Sequence, residues 1–428
     1  MTAFSAPTTE TPATELPEYP MPRAAGCPFD PPPALQKLQD RTRIARVRIW
    51  NGDTPWLITR YEDQRTLLAD PRISSDTTKP GFPYESPGVA QTTVQPAPDG
   101  LPGTGEPGVE PVAFLGMDDP EHSRQRRMVT TAFTVRRTKA MRPGVQQIVD
   151  DLIDALLDGP NPADLVETFA LPVPSLVICN LLGVPYEDRD FFQARSDLLP
   201  RRSTTAEQAA QAMAELSEYL GHLIEQKRTD PADDVLSTLA QQITEGGLTR
   251  RQAAHMAVML LFGGHETTAN MISLGALALF QHPDQLARVR DNSDNPQLIA
   301  SAVEELLRYL SIPQLGRRRV ALADIEIGGV TIRAGESVII AHDVGNRDPS
   351  VFDDPDRLDI ERDARRQIAF GFGVHQCLGQ PLARLELEVV FGTLYRRIPT
   401  LRLAAPVDQL SFKNDGIAYG MHELPVTW

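Results

Sequence analysis

Apolar residues recur at helical spacing along most of the chain, and strict alternation is confined to short stretches. The helical pattern covers residues 117–133, 145–159, 206–228 and 296–310. A longer helix is predicted from Thr249, a favourable N-cap residue, to about Phe280, because His282-Pro283 supplies a stop signal. At ~1.5 Å per residue, roughly thirty residues form a rod of about 45 Å, enough to cross a domain.

Short strand patterns accompany these helices. Residues 317–344 hold strands separated by turns at Gly328-Gly329 and Ala334-Gly335, and residues 45–63 form a hairpin pattern around Asn51-Gly52. No internal repeat is visible. The fold class is therefore mainly α with a smaller β region, or α+β. Residues 1–20 are predicted as a flexible arm, residues 21–428 as a single catalytic domain, and residues 76–112 as a long functional or disordered loop.

Composition narrows the classes of function. The 428 residues carry a formal net charge of −15, which argues against a nucleic-acid binder and against a polybasic membrane-surface protein. The first residues lack the features of a signal peptide, and the apolar stretches are shorter than a membrane span. Three cysteines, few and odd in number, fit a reducing cytosol better than a disulfide scaffold. We expect a cytoplasmic monomer.

A glutamate interrupts the apolar run of the long helix, within Gly-Gly-His-Glu-Thr-Thr at residues 263–268. A zinc-binding H-E-x-x-H motif is excluded because Ala269 stands where the second histidine is required. Glu266 could relay protons, and the Thr267 hydroxyl could bond to a carbonyl one turn earlier and distort the helix. The alternative is a buried glutamate that only pairs with a neighbour.

The segment FGFGVHQCLGQPLARLELEVV places Cys377 between a glycine-rich turn and an amphipathic helix that starts near Leu378. A helix N-terminus stabilises a thiolate, and glycines let a flat group approach the backbone. This pattern suits a single thiolate ligand to a large planar cofactor. A buried structural cysteine is the alternative for an isolated Cys.

From about residue 25 to its end the chain resembles the cytochromes P450, and is close to soluble actinobacterial members. Four motifs carry the resemblance: the oxygen-activating helix, E-x-x-R, P-x-R and the heme-ligand loop. Gly263 stands where alanine is commoner, and Leu358 replaces the more usual phenylalanine. The matching residues are, in chain order, Gly263 to Thr268, Glu305, Arg308, Pro355, Arg357, Phe370, Gly373, Cys377 and Gly379.

The resemblance implies a triangular-prism fold with heme b held between the long central helix and the cysteine-ligand helix. Cys377 would ligate the iron, and Glu266 and Thr267 would deliver protons to dioxygen. Glu305 and Arg308, three residues apart on one helix face, would form a structural ion network with Arg357. The implied heme-contact residues are His122, Arg126, Gly264, Arg319 (with Arg318 as the possible confusion), Phe370, His375 and Gly379.

The implied activity is a monooxygenase that hydroxylates or epoxidises an organic substrate with O2. A macrolide, polyketide, terpenoid or xenobiotic is expected, bordered by residues 78–113, 186–213, 258–262, 312–315 and 414–418. Other heme-thiolate reactions, such as peroxide-driven chemistry or nitric oxide reduction, make less use of a Glu-Thr pair. A heme sensor would be expected to carry an output domain.

Electrons are expected from a separate ferredoxin and ferredoxin reductase, because no G-x-G-x-x-G follows a strand in this chain. Such ferredoxins are usually acidic. We therefore predict a basic docking patch near the ligand loop. Its candidate residues are Arg124, Arg127, Arg365 and Arg366.

Overall fold

The computed structural model describes residues 16–24, 26–86, 113–196, 198 and 204–428, and helices dominate them. The predicted α-rich class is confirmed. The helices are α1 (Pro33–Arg41), α2 (Tyr61–Ala69), α3 (Glu121–Thr130), α4 (Val135–Asp158), α5 (Pro172–Leu182), α6 (Arg189–Ser196), α7 (Ala206–Thr229), α8 (Val235–Thr244), α9 (Arg250–Gln281), α10 (Pro283–Asp291), α11 (Pro296–Leu310), the short α12 (His342–Gly345) and α13 (Gln380–Arg397).

Helix α9 is the predicted long central helix, and its start is explained by a capping box. The Thr249 side chain accepts from the Gln252 backbone N–H while the Gln252 side chain accepts from the Thr249 N–H. Most of the helix is buried, since it packs against α5, α7, α8, α11 and α13. Helix α9 therefore forms the axis of the core.

Three small sheets complete the fold of the described residues. The largest has the order β1-β2-β8-β5-β3, and the others are β4-β10-β9 and the hairpin β6-β7. The β1-β2 hairpin is confirmed, with Ile44 opposite Ile58. The strands are β1 (Ile44–Arg46), β2 (Trp56–Ile58), β3 (Ile73–Ser74), β4 (Ala163–Asp164), β5 (Arg317–Ala321), β6 (Ile325–Ile327), β7 (Val330–Ile332), β8 (Ser337–Ile340), β9 (Arg402–Leu403) and β10 (Pro425–Thr427).

The predicted boundary of the N-terminal arm is wrong at its C-terminal end. Tyr19 is buried, and its backbone N–H donates to the Arg48 carbonyl at 2.8 Å, so this part of the chain is packed. The rest of the predicted arm, residues 1–15, lies outside the described residues. So do residues 87–112 of the predicted long loop and residues 197 and 199–203 of one predicted substrate segment.

Among the described residues, no helix has both the length and the apolar character that a membrane span requires.

Candidate heme-thiolate site

The loop around Cys377 closes on itself and rests on α2. The Cys377 N–H donates to the Phe370 carbonyl at 2.9 Å, and Gly371 and Gly373 adopt φ values of 76° and 74°. A Cβ on Gly373 would lie 2.3 Å from the Leu68 carbonyl oxygen, a distance that no side chain tolerates. Only glycine therefore meets both the left-handed backbone and the close approach at position 373.

The Cys377 side chain lies at the N-terminus of α13, as predicted. Burial raises the pKa of its thiol, and the charges of Arg317 and Arg126 oppose that effect together with the N–H groups of Gly379 and Gln380. The backbone N–H groups thus direct the positive end of the helix dipole at the sulfur. A metal cation bound to the sulfur would complete the stabilisation of a thiolate. That donor set fits an iron cation.

Four cationic or potentially cationic side chains meet beside this loop, and all four were predicted. The His122 and His375 ring centroids lie 4.1 Å apart, and Arg126 Nη2 donates to the Gln376 carbonyl at 2.7 Å. Burial, then the charges of Arg319, His122 and Arg126, lower the pKa of His375 to about 3. Burial likewise lowers the pKa of Arg319 to about 10.

This cluster holds no ion pair between an arginine and a carboxylate among the described residues, although Asp118 and Glu85 act on Arg319 from farther away. Its one carboxylate contact joins Asp119 Oδ1 to His122 Nδ1 at 3.3 Å, and the buried His122 Nε2 has no hydrogen-bond partner there. Burial lowers the pKa values of His122 and His375, so the positive charge of the cluster comes from the half-buried Arg126 and Arg319, which lack a close counter-charge. The two propionates of heme would supply that charge and a partner for His122.

Strand alternation separates three consecutive arginines. Arg318 is buried on one face of β5, where it donates to the Leu315 and Pro83 carbonyls. Arg319 lies on the other face, which supports its selection over Arg318 as the propionate partner. Arg317 shares that face and was not predicted, although the two-residue period of a strand could have indicated it.

One face of α9 borders open space. His255, Met259, Gly263 and Thr267 recur every four residues and are less buried than most of the helix. Thr267 Oγ1 donates to the Gly263 carbonyl at 2.7 Å, as the sequence predicted. Within predicted segment 258–262, Met259 and Phe262 are half-buried and the other three residues belong to the core.

Gly264, implied as a heme-contact residue, does not direct its Cβ position to the open face of α9. A Cβ on Gly264 would lie 2.8 Å from Ile178 Cδ1 on α5, so this glycine allows two helices to pack closely. A Cβ on Gly263 would meet nothing within 4 Å. Gly263 is therefore the glycine of the pair that faces open space.

Glu266 is buried, with 7% of its surface exposed, and it is paired. Its Oε1 accepts from Lys413 Nζ at 2.6 Å and from Asn270 Nδ2 at 3.1 Å. Burial raises its pKa, but the charge and hydrogen bond of Lys413, with smaller contributions from His265 and Asn270, together leave the pKa below its usual value. Nothing in the sequence indicated Lys413, which lies far along the chain.

Glu305 and Arg308 form the predicted ion pair at 2.7 Å, with both side chains fully buried. The third member is Arg362, whose Nε lies 3.2 Å from Glu305 Oε1. The prediction of Arg357 is wrong: its side chain is 63% exposed and pairs with Asp359 at 2.6 Å. Arg357 contributes its backbone carbonyl, which accepts from Arg308 Nη2 at 3.3 Å.

The predicted basic patch is largely neutralised. Its paired members are Arg124 with Glu121, Arg365 with Asp363, and Arg366 with Glu62. In the described part of the chain, Arg127 is exposed and has no carboxylate partner.

Comparison with known proteins gives consistent matches. The family model described as Cytochrome P450 matches residues 112–398. Cytochrome P450 GfsF of Streptomyces halstedii is 52% identical over 420 residues, 97% of each chain, and its crystal structure superposes with a TM-score of 0.87. Pentalenic acid synthase of Streptomyces avermitilis is 48% identical over 408 residues, 95% of this chain and 96% of that protein.

A further solved structure contains a bound ligand. The mycinamicin VIII C21 methyl hydroxylase MycCI from Micromonospora griseorubida, bound to mycinamicin VIII, has a TM-score of 0.86 and 40% identity. The match covers 96% of this chain and all of that one.

Proposed function

The chain belongs to the cytochrome P450 family, and from that premise we propose residue roles, a substrate class and an electron donor for its monooxygenase reaction. It is a heme-thiolate monooxygenase that uses heme b. In hydroxylation, a C–H bond, O2, two electrons and two protons give an alcohol and water. The chain from Tyr19 to residue 428 is proposed to act as one catalytic domain and as a monomer. Its three free cysteines support a cytoplasmic location.

Cys377 is the proposed iron ligand, and His122, Arg126, Arg319 and His375 are the proposed propionate partners. When bound, the heme supplies the centre at which dioxygen is reduced. The observation that carries this assignment is a pair of desolvated arginines, Arg126 and Arg319, with a His122 Nε2 that is unpartnered among the described residues, beside a cysteine at a helix N-terminus. Phe370 and Gly379 complete the loop. The Phe370 carbonyl accepts from the Cys377 N–H, and among the described residues a Cβ on Gly379 would approach only the Cys377 sulfur, at 3.9 Å.

Glu266 and Thr267 are the proposed proton-delivery residues. The Thr267 hydroxyl lies on the face of α9 that borders open space, and the adjacent Glu266 side chain reaches the partly exposed Lys413 on the other side. A proton taken up from water by the Glu266 carboxylate can pass to the cavity through the Thr267 hydroxyl once that hydroxyl leaves the Gly263 carbonyl.

Thr267→Ala tests this role. We expect the variant to bind heme and substrate normally, while less of the NAD(P)H consumed appears as product and more appears as hydrogen peroxide. Thr268→Val is the matched control, because Thr268 is the buried neighbour on another face of the helix. Equal product yield per NAD(P)H in Thr267→Ala and the parent would refute the proton-delivery role.

The proposed substrate is a large, mainly apolar natural product, such as a macrolide or terpenoid. Support comes from the apolar Met259 and Phe262 on the exposed stripe of α9 and from the compounds named for pentalenic acid synthase and MycCI. An optical titration of the ferric protein with a panel of such compounds tests the class. A low-spin to high-spin Soret shift with xenobiotics but with no macrolide or terpenoid would contradict it.

A ferredoxin is the proposed electron donor, with Arg127 as the leading contact of the predicted patch. An unpaired exposed arginine presents more net positive charge to an acidic partner than an arginine already paired with a carboxylate. Arg127→Glu should slow reduction by ferredoxin and weaken its salt dependence. Arg402→Glu, on an exposed residue of β9, is the control. Equal reduction rates in both variants would remove Arg127 from the docking surface.

A further inference from the structure

The C-terminal hairpin, residues 411–421, is closed by backbone hydrogen bonds within it and is fixed to the segment after α11 by the Tyr419 N–H, which donates to the Ile312 carbonyl at 2.8 Å. Phe412 pairs with Met421, and the Lys413 N–H donates to the Gly420 carbonyl at 2.9 Å. On the outer side, Gln314 Nε2 donates to the Lys413 carbonyl at 3.1 Å. Lys413 therefore has a backbone held from two directions, although it lies in a connection after the last long helix.

The Lys413 side chain runs from this hairpin to α9. Its Nζ lies 2.6 Å from Glu266 Oε1 and 3.3 Å from Asn270 Oδ1, and Asn270 Nδ2 donates back to the same Glu266 oxygen. A Cβ on Gly420 would lie 2.0 Å from Asn270 Oδ1, so glycine is needed for the hairpin to approach this closely. The lysine, the amide and the carboxylate form one compact network.

We propose that Lys413 is a positioning residue that holds the Glu266 carboxylate in one orientation and sets its charge for proton delivery. The inference rests on the proposed function of Glu266. It adds that the C-terminal hairpin, and not the central helix alone, determines the orientation and the charge of that carboxylate.

The charges around Glu266 support this assignment. The charged or titratable groups that act on it are Lys413 from the hairpin and His265 on its own helix. Burial lowers the pKa of His265 to about 4, so this imidazole is neutral at pH 7 and its Nδ1 lies 3.0 Å from Ser175 Oγ. Lys413 is then the cation that opposes the burial of Glu266.

Burial and Lys413 act on the pKa of Glu266 in opposite directions. With Lys413 present, the pKa of Glu266 lies below its usual value and the carboxylate is ionised throughout the neutral range. Without Lys413, burial dominates and raises that pKa, so protonation moves toward neutral pH. Removal of Lys413 should therefore make the protonation of Glu266 depend on pH near neutrality, which it does not in the parent enzyme.

Infrared spectra of the heme-loaded resting protein between pH 5 and pH 9 provide a test that needs no substrate. Burial raises the pKa of Glu386 well above its ordinary value, so the parent already has a protonated carboxyl. We expect Lys413→Met to show a second protonated-carboxyl C=O band that disappears with rising pH. This second band should be absent from the parent, from Lys413→Arg and from Lys413→Met/Glu266→Gln. Lys227→Met is the matched control, since it breaks another partly buried ion pair, with Asp234 at 2.6 Å. Without the Glu266-dependent band, the inference is overturned.

Turnover of 7-ethoxycoumarin with a ferredoxin and its reductase gives the second readout. Lys413→Met should lower the product formed per NADPH, because the Glu266 carboxylate is no longer held in one orientation and one charge state. Lys413→Arg should restore the yield, and the double variant should match Glu266→Gln alone. Loss of yield in Glu266→Gln but not in Lys413→Met would overturn this inference and leave the proposed function intact. Full yield in Glu266→Gln would refute the role of Glu266 and this inference with it.

Discussion

Replacing Arg362 with methionine tests which arginine completes the ion network around Glu305. Arg362 Nε contacts the fully buried Glu305 carboxylate at 3.2 Å, and its Nη2 donates to the carbonyls of Asp354 and Arg357 at 3.0 and 3.3 Å. Methionine keeps much of the side-chain volume but removes every donor. The variant therefore isolates the polar contacts from the packing.

The expected loss follows from the environment of Glu305. A hydrogen bond between charged groups contributes about 1.5–3 kcal/mol, and a buried carboxylate that loses a partner does not regain one from water. Arg308 and the Asp359 N–H still hold Glu305, so complete failure of the network is not expected. We expect Arg362→Met to lose about 2–3 kcal/mol of unfolding free energy, roughly a 30- to 150-fold change in the unfolding equilibrium.

Arg357→Met is the matched control, because it removes the same kind of side chain five residues earlier. The Arg357 guanidinium is mostly exposed, and its ion pairs with Asp354 and Asp359 lie at the surface. Urea unfolding of both heme-loaded variants, followed by Soret absorbance and far-ultraviolet circular dichroism, makes the comparison. If Arg357→Met unfolds at a urea concentration equal to or below that of Arg362→Met, the assignment is wrong.

Three glycine substitutions give further predictions. Gly373→Ala should lower heme content and cost about 2–3 kcal/mol of stability, because it combines left-handed strain with a clash against the Leu68 carbonyl. The Soret-to-280 nm absorbance ratio measures the loss of heme, and a normal ratio would contradict the clash. Gly264→Ala should lower the melting temperature because the added Cβ meets Ile178. Gly263→Ala should leave the melting temperature unchanged or raise it, since alanine favours the helix by about 1 kcal/mol. Calorimetry measures both, and the reverse order would show that the faces of the two glycines are misassigned.

Local patterns were sufficient for much of the fold and for part of the site. The limits of α9 followed from a cap and a stop signal, and the Cys377 loop followed from glycine spacing next to an amphipathic helix. In each case the deciding interactions lie within a few residues of one another. Sequence reasoning is strongest where structure is determined locally.

Contacts between distant segments could not be derived in that way. Arg357 and Arg362 lie in one arginine-rich loop, and the path of that loop decides which guanidinium turns inward to Glu305. The pairing of Glu266 with Lys413 depends on where the C-terminal hairpin docks. The direction of Gly264 depends on the position of α5. These features follow from tertiary packing, for which hydrophobic periodicity carries little information.

The contact of the ligand loop with α2 has a consequence for the order in which the newly made chain folds. Gly373 rests on the carbonyl of Leu68, and β2 pairs in parallel with β8, so both ends of the chain must be present before the thiolate site takes shape. About 300 residues separate Leu68 from Gly373, and a ribosome adding ~5–20 residues per second needs roughly 15–60 s to make them. During that interval β2 is paired only with β1, and its other edge stays open until β8 is made. Cofactor capture is therefore a late event in the synthesis of the chain.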